Sequence, residues 1–194
     1  MKAYQDASLA PVRRAKALLE EMTLAEKIGQ LNQRLYGFRI YERKCVNGED
    51  TIELSEEFCQ EVEKYSGLGV LYGLYRADPW ADKNYETGLT GVLSKKAYNQ
   101  VQRYVLEHSR LGIPVMMSSE CPHGHQALDG YLLPVNLLAG ATFDPAMVRA
   151  AYRVSGRQLQ NMGVDLALMS MLDVLRDPRW GRSEECYSED PYLS

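Results

Sequence analysis

Three largely apolar runs constrain the fold of this chain more than any other feature: LGVLYGLY (residues 68–75), IPVMMSS (113–119) and VDLALMSMLDV (164–174). Each has strand length, and none alternates apolar with polar, so a strand made from it is covered on both faces. Helical spacing fills the intervals between them. Strands of this kind separated by helices predict parallel pairing, as in an α/β barrel or a doubly wound sheet. Parallel strands carry functional groups at their C-terminal ends. The polar segments RADPWADKNYE (76–86), SSECPHGHQ (118–126) and DVLRDPRWGRSEE (173–185) all begin where a run stops, so a barrel gathers them on one rim.

The flanking elements follow from caps and periodicity. Pro11 suits a first helical turn, and Val12, Ala15, Leu18, Leu19 and Met22 recur at helical intervals after it. Thr23 and Glu26 form a capping box, and Leu24, Ile28, Leu31 and Leu35 predict a second helix buried along that side. Asn47-Gly48 marks a loop or a short hairpin. Helices are expected over 56–65, over 95–110, and from Asp144 as cap with Pro145 at its first position to Gly163.

At 194 residues the chain can bury roughly two thirds of its unfolded surface, and 45% hydrophobic with 25% charged residues is a globular composition. A formal charge of −4 repels phosphate backbones, which argues against a nucleic-acid partner. The first 22 residues are charged every few positions and contain no run apolar enough for a secretion signal or a membrane span. Four scattered cysteines without CxxC pairs read as reduced thiols. Together these features lead to the expectation of a cytoplasmic protein without a membrane partner.

SSECPHGHQALDG (118–130) concentrates the titratable groups: Glu120, Cys121, His123 and His125. A chelating pair is one reading of HGH, but so short a segment cannot readily turn four successive side chains onto one ion, and histidines bracing a turn at Gly124 are the competing one. Cys121 would need a base and an oxyanion hole that nothing singles out. Glu120, placed just after an apolar strand, can accept hydrogen bonds from sugar hydroxyls or act in acid-base work; a surface acid is the plainer alternative. In the last loop Arg176, Arg179 and Arg182 lie among Asp177, Trp180, Glu184 and Glu185. Arginine forks suit vicinal hydroxyls, and they also suit the neighbouring acids as loop braces.

MTLAEKIGQL, RLGIPVMMSSECPHGHQ, LLPVNLLAGATFDP and MLDVLRDPRWGRSEECYSEDPYL, in that order across most of the chain, resemble the start of a glycoside hydrolase family 3 protein, the β-glucosidase and β-xylosidase family. The resemblance implies an incomplete TIM-like (β/α) barrel of α/β class, with residues 1–194 as the N-terminal portion of the barrel domain and no second domain. It implies a β-linked glucoside or xyloside as substrate and no metal or other cofactor. Glu120 stands where the family commonly has a hydroxyl-binding aspartate, and Arg182 matches a hydroxyl-binding arginine. Gln126 lies where some members place a second arginine, and His123 and His125 match the family's HG and HGH positions, which places all three in the substrate-binding set, the histidines as residues that shape the loop rather than react.

The same resemblance puts the family's Lys-His pair, nucleophilic aspartate and acid/base residue beyond Ser194, so no residue here is assigned as catalytic. A whole barrel takes about 250 residues. The chain is therefore expected to be a truncated N-terminal segment of a retaining exo-acting β-glycosidase, inactive alone, whose open edge favours a homo-oligomer or a complementing C-terminal chain. A noncatalytic carbohydrate-binding or assembly module built from half a barrel is the alternative.

Overall fold

The computed structural model describes residues 2–169 and 171–194. Helices α1 (Pro11–Glu21) and α2 (Leu24–Gln30) open the chain, and a hairpin of β1 (Tyr41–Val46) and β2 (Glu49–Leu54) comes after them. Next come α3 (Glu56–Tyr65), β3 (Val70–Tyr72), α4 (Gly91–Glu107) and β4 (Met116–Glu120). The short α5 (Asn136–Gly140), α6 (Pro145–Asn161) and β5 (Leu166–Leu168) complete the order.

Strands β3, β4 and β5 form one parallel sheet in sequential order, with Tyr72 opposite Ser118, Ser118 opposite Leu166 and Glu120 opposite Leu168. The segment after α2 runs beside β3, where Val70 N donates to Asn32 O and Tyr36 bridges Tyr72 in parallel. Sequential parallel strands with intervening helices are the early part of a (β/α) barrel of TIM type. The expected α/β architecture is the observed one.

Side chains of opposite parity separate the sheet's two faces. Met117 and Leu71 enter a core with Phe58, Val62, Ala97, Val101 and Val105, which closes the sheet against α3 and α4. On the other face Met116, Leu166 and Leu168 are 45%, 41% and 37% exposed, and Tyr72 and Glu120 share that face by register.

Local chemistry explains several boundaries. Asn47 and Gly48 both adopt positive φ (53° and 81°), the geometry of a tight two-residue hairpin turn. The Asp144 side chain accepts from Ala146 N and Met147 N and caps α6, with Pro145 at its first position. The expected strands are shorter than their apolar runs. Gly73 turns β3 away at φ 73°, and Pro122, which has no N–H to donate, follows β4, so Cys121 N to Leu168 O at 2.8 Å is the last rung between β4 and β5 among the described residues. Ser170, within the third apolar run, lies outside the described residues.

Helix α2 departs from expectation. Its capping box is present, yet Leu24, Ile28 and Leu31 are 74%, 47% and 88% exposed, whereas Glu26 and Gly29 are buried. Two contacts turn the helix this way. Arg110 reaches Glu26 Oε2 at 2.7 Å, and Gly29 faces Tyr65 so closely that a Cβ there would lie 2.7 Å from the Tyr65 Cβ. The Arg110 guanidinium, aided by Thr23, holds the Glu26 carboxyl at about 2 against the burial that opposes its charge. Leu35 is buried because it lies beyond α2, in the segment that runs beside β3.

Candidate functional site

The three polar segments meet at the C-terminal ends of the strands. Glu120 ends β4, and the chain then turns through Gly124 at φ 95°, where a Cβ would lie 2.2 Å from Tyr131 O. Gln126 N returns to Glu120 O at 3.1 Å and closes the loop. The segment after β3 is stitched to this loop by Ala77 N to Gln126 O and by a bridge between Arg76 and Ala127. Asn136 in α5 holds the last loop by donating to Glu185 O at 2.8 Å, and the Tyr152 hydroxyl lies between Asn136 Oδ1 and Pro122 O, at 2.6 and 2.5 Å, with one proton to share between them.

The result is a cavity of about 270 Å³ lined by Arg76, Glu120, His123, Gln126, Arg182 and Glu185, among others. Four of the five residues singled out in the sequence, Glu120, His123, Gln126 and Arg182, thus share one depression. Its charges are paired. The Tyr72 hydroxyl donates to Glu120 Oε1 at 2.6 Å, and Arg76 Nη1 stands 3.4 Å from the same oxygen. Arg182 forks onto Glu185, Nε to Oε1 and Nη2 to Oε2, both at 2.6 Å, and holds that carboxyl below its ordinary range. Burial first, and the Glu120 carboxylate second, push the Tyr72 hydroxyl's pKa up, so it is a protonated donor at neutral pH. His123 Nδ1 and Gln126 Oε1 are buried without a hydrogen-bond partner among the described residues. A cavity that offers carboxylate acceptors and guanidinium donors suits a polyhydroxylated ligand.

The fifth residue faces elsewhere. His125 is 1% exposed, its Nε2 pairs with Ser119 Oγ at 2.9 Å, and its ring packs edge-on to Tyr75. Burial draws its pKa down to about 4, so the ring is neutral and braces the loop from inside. His125 therefore does not line the cavity with His123, and the two histidines of HGH diverge instead of converging on one point. Among the described residues no group of three His, Cys, Asp or Glu is placed to hold a metal ion. Cys121 is fully buried and burial pushes its thiol up, which removes the thiolate a nucleophile needs.

In the last loop Arg179 forks onto Asp177, Nε to Oδ1 at 2.9 Å and Nη2 to Oδ2 at 2.6 Å, which makes it a loop brace. Sequence reasoning missed Tyr72 and Arg76. Arg76 opens one of the three polar segments and was legible to that extent; Tyr72 reads as one more apolar strand residue.

Residues 23–194 match the family model described as the glycosyl hydrolase family 3 N terminal domain. A protein of Formosa agariphila named as a beta-xylosidase is 31% identical over 193 residues, covering 100% of this chain and 23% of its own length. The periplasmic beta-glucosidase of Salmonella typhimurium is 29% identical over 177 residues, covering 91% of this chain and 18% of its own. The solved structure of a beta-glucosidase from Erythrobacter marinus superposes with a TM-score of 0.73 at 29% identity, over 99% of this chain and 22% of the other. The chain thus spans about a quarter or less of the length of these three relatives. With the parallel half-barrel and the strand-end cavity already in view, the match over nearly the whole sequence means that this chain belongs to glycosyl hydrolase family 3, within its N terminal domain.

Proposed function

We propose that these 194 residues form the sugar-binding part of a retaining exo-acting β-glycosidase of the β-glucosidase or β-xylosidase type. In this reading Glu120 and Arg182, with His123 and Gln126, hold the nonreducing terminal sugar. The nucleophile and the acid/base, which a retaining mechanism places about 5–5.5 Å apart across the glycosidic bond, come from residues outside these 194. The observation that carries the reading is the shared cavity, in which the strand-end acid of β4 and an arginine of the last loop line one depression. A carboxylate there accepts from sugar hydroxyls while a guanidinium donates to them, and the names carried by the relatives point to glucosides and xylosides.

The 194-residue chain is expected to release no aryl alcohol from aryl β-glucosides or β-xylosides, yet to bind glucose or xylose. Glu120→Ala and Arg182→Ala should each weaken that binding tenfold or more, about 1.4 kcal/mol, since each removes a charged partner of a hydroxyl. Robust turnover by the pure chain contradicts the reading. Assembly without sugar affinity favours the noncatalytic module.

The exposed sheet face carrying Met116, Leu166 and Leu168, together with β5 as an edge strand of the three-stranded sheet among the described residues, supports a second part of the reading: the partial barrel is completed by further strands, from a second copy or a complementing chain. Sedimentation of the 194-residue chain should show a species heavier than the monomer, and a stable monomer at micromolar concentration contradicts self-association.

A further inference from the structure

Glu120 ends β4 on a long, flexible side chain, so its carboxylate presents one fixed acceptor only if other groups hold it. Two donors converge on a single oxygen. Tyr72, at the end of β3, donates to Oε1 at 2.6 Å, and Arg76 Nη1 approaches that oxygen at 3.4 Å while also donating to the Tyr72 hydroxyl. The second oxygen, Oε2, has no hydrogen-bond partner among the described residues.

Arg76 is itself anchored. Its Nε meets Asp78 Oδ2 at 2.7 Å, Nη2 meets the same oxygen at 2.6 Å, and the guanidinium lies over the Trp80 ring, 4.5 Å from its centroid. The side chains of Arg76, Asp78 and Glu120 are only 15%, 20% and 25% exposed, so water screens these contacts weakly. A chain of fixed groups thus runs from Trp80 and Asp78 through Arg76 and Tyr72 to one oxygen of Glu120.

We propose that Tyr72 and Arg76 are positioning residues that pin Glu120 Oε1 and leave Oε2 as the directed acceptor for a sugar hydroxyl. The assignment rests on the sugar-binding reading of the cavity. It requires Tyr72 as a donor and Arg76 as a fork, since a lysine keeps the charge without reaching both Asp78 and the Tyr72–Glu120 pair. Released from these partners, the carboxylate is free to rotate, and its acceptor direction is lost before a ligand arrives.

The test combines two readouts on Tyr72→Phe, Arg76→Lys and Arg76→Met in the full 194-residue chain. One is the carboxyl-carbon resonance of Glu120 at neutral pH, assigned with Glu120→Gln; the other is the affinity for glucose and xylose. Tyr72→Phe should move the resonance and weaken sugar binding about fivefold to tenfold, the effect of one hydrogen bond to a charged group. Amide resonances away from β3 and β4, and the thermal midpoint, should stay in place. Arg76→Lys should recover part of what Arg76→Met loses. An unmoved Glu120 resonance in both Tyr72→Phe and Arg76→Met overturns the assignment, as does full affinity in either variant. If the unaltered chain binds neither sugar, the sugar reading itself fails, and the resonance alone then decides whether Tyr72 and Arg76 pin the carboxylate.

Discussion

Gly69→Ala is expected to destabilise the chain by about 3 kcal/mol or more and to leave much of it unfolded, a larger effect than most single substitutions produce. The cause is a backbone crossing. Gly69 N donates to Gly29 O at 3.0 Å just before β3, and a Cβ on residue 69 would lie 1.9 Å from Gln30 O and 2.4 Å from the Gln30 carbonyl carbon. Those atoms belong to the last turn of α2 and cannot yield as the tip of a side chain does. The added methyl must therefore separate α2 from β3 and break the hydrogen bonds that align the first strand segment with the sheet. Urea titration monitored by far-UV circular dichroism measures the loss. An unfolding free energy within about 0.5 kcal/mol of the parent's, the range of an ordinary surface substitution, would contradict the crossing.

The second large effect is acid sensitivity set by His125. Its ordinary pKa of 6.5 falls to about 4 in the folded chain because the ring is buried. The unfolded chain takes up this proton as pH drops through 6.5, while the folded chain resists until about 4. Stability from this group is therefore complete above 6.5 and lost progressively between 6.5 and 4. At about 1.36 kcal/mol per pKa unit the loss amounts to about 3 kcal/mol. Glu26 acts lower on the scale: its depressed carboxyl stabilises the fold above about 4.5, and that contribution disappears as pH falls toward 2. The His125 window is isolated by subtraction. His125→Gln keeps a polar partner for Ser119 Oγ and cannot titrate, so the difference in unfolding free energy between parent and variant should change by about 3 kcal/mol between pH 6.5 and 4. A difference that stays constant across that window would mean the ring is not held neutral.

Much of this architecture is legible in the sequence because it is written in local chemistry. Asn47-Gly48, the Thr23 and Glu26 box, and Asp144 with Pro145 each satisfy a backbone requirement among near neighbours in the chain, and each appears where it is expected. The convergence of the three polar segments is legible for a different reason: parallel strands share a direction, so the loops leaving their C-terminal ends share a rim.

The misreadings are equally physical. Periodicity says which residues of α2 share a face but not which face turns inward, and the Arg110 to Glu26 pair decides that against Leu24 and Leu31. The five residues of α5 are too few for a period to register. His125 and His123 are separated by one glycine at φ 95°, and a bracing role for the pair is legible, whereas which of the two also lines the cavity is decided only by the folded loop. Tyr72 reads as apolar in a strand of apolar residues, and only the register of β3 on β4 brings its hydroxyl to Glu120.

The most direct measurement of the central claim is a titration of the isotopically labelled chain with xylose and with glucose, tracking the Glu120 carboxyl carbon and the Arg182 side-chain Nε–Hε signal together. Both signals should move along one saturable isotherm for at least one of the sugars, because both groups line the same cavity. Saturable binding that moves neither signal, or no binding of either sugar, would contradict it.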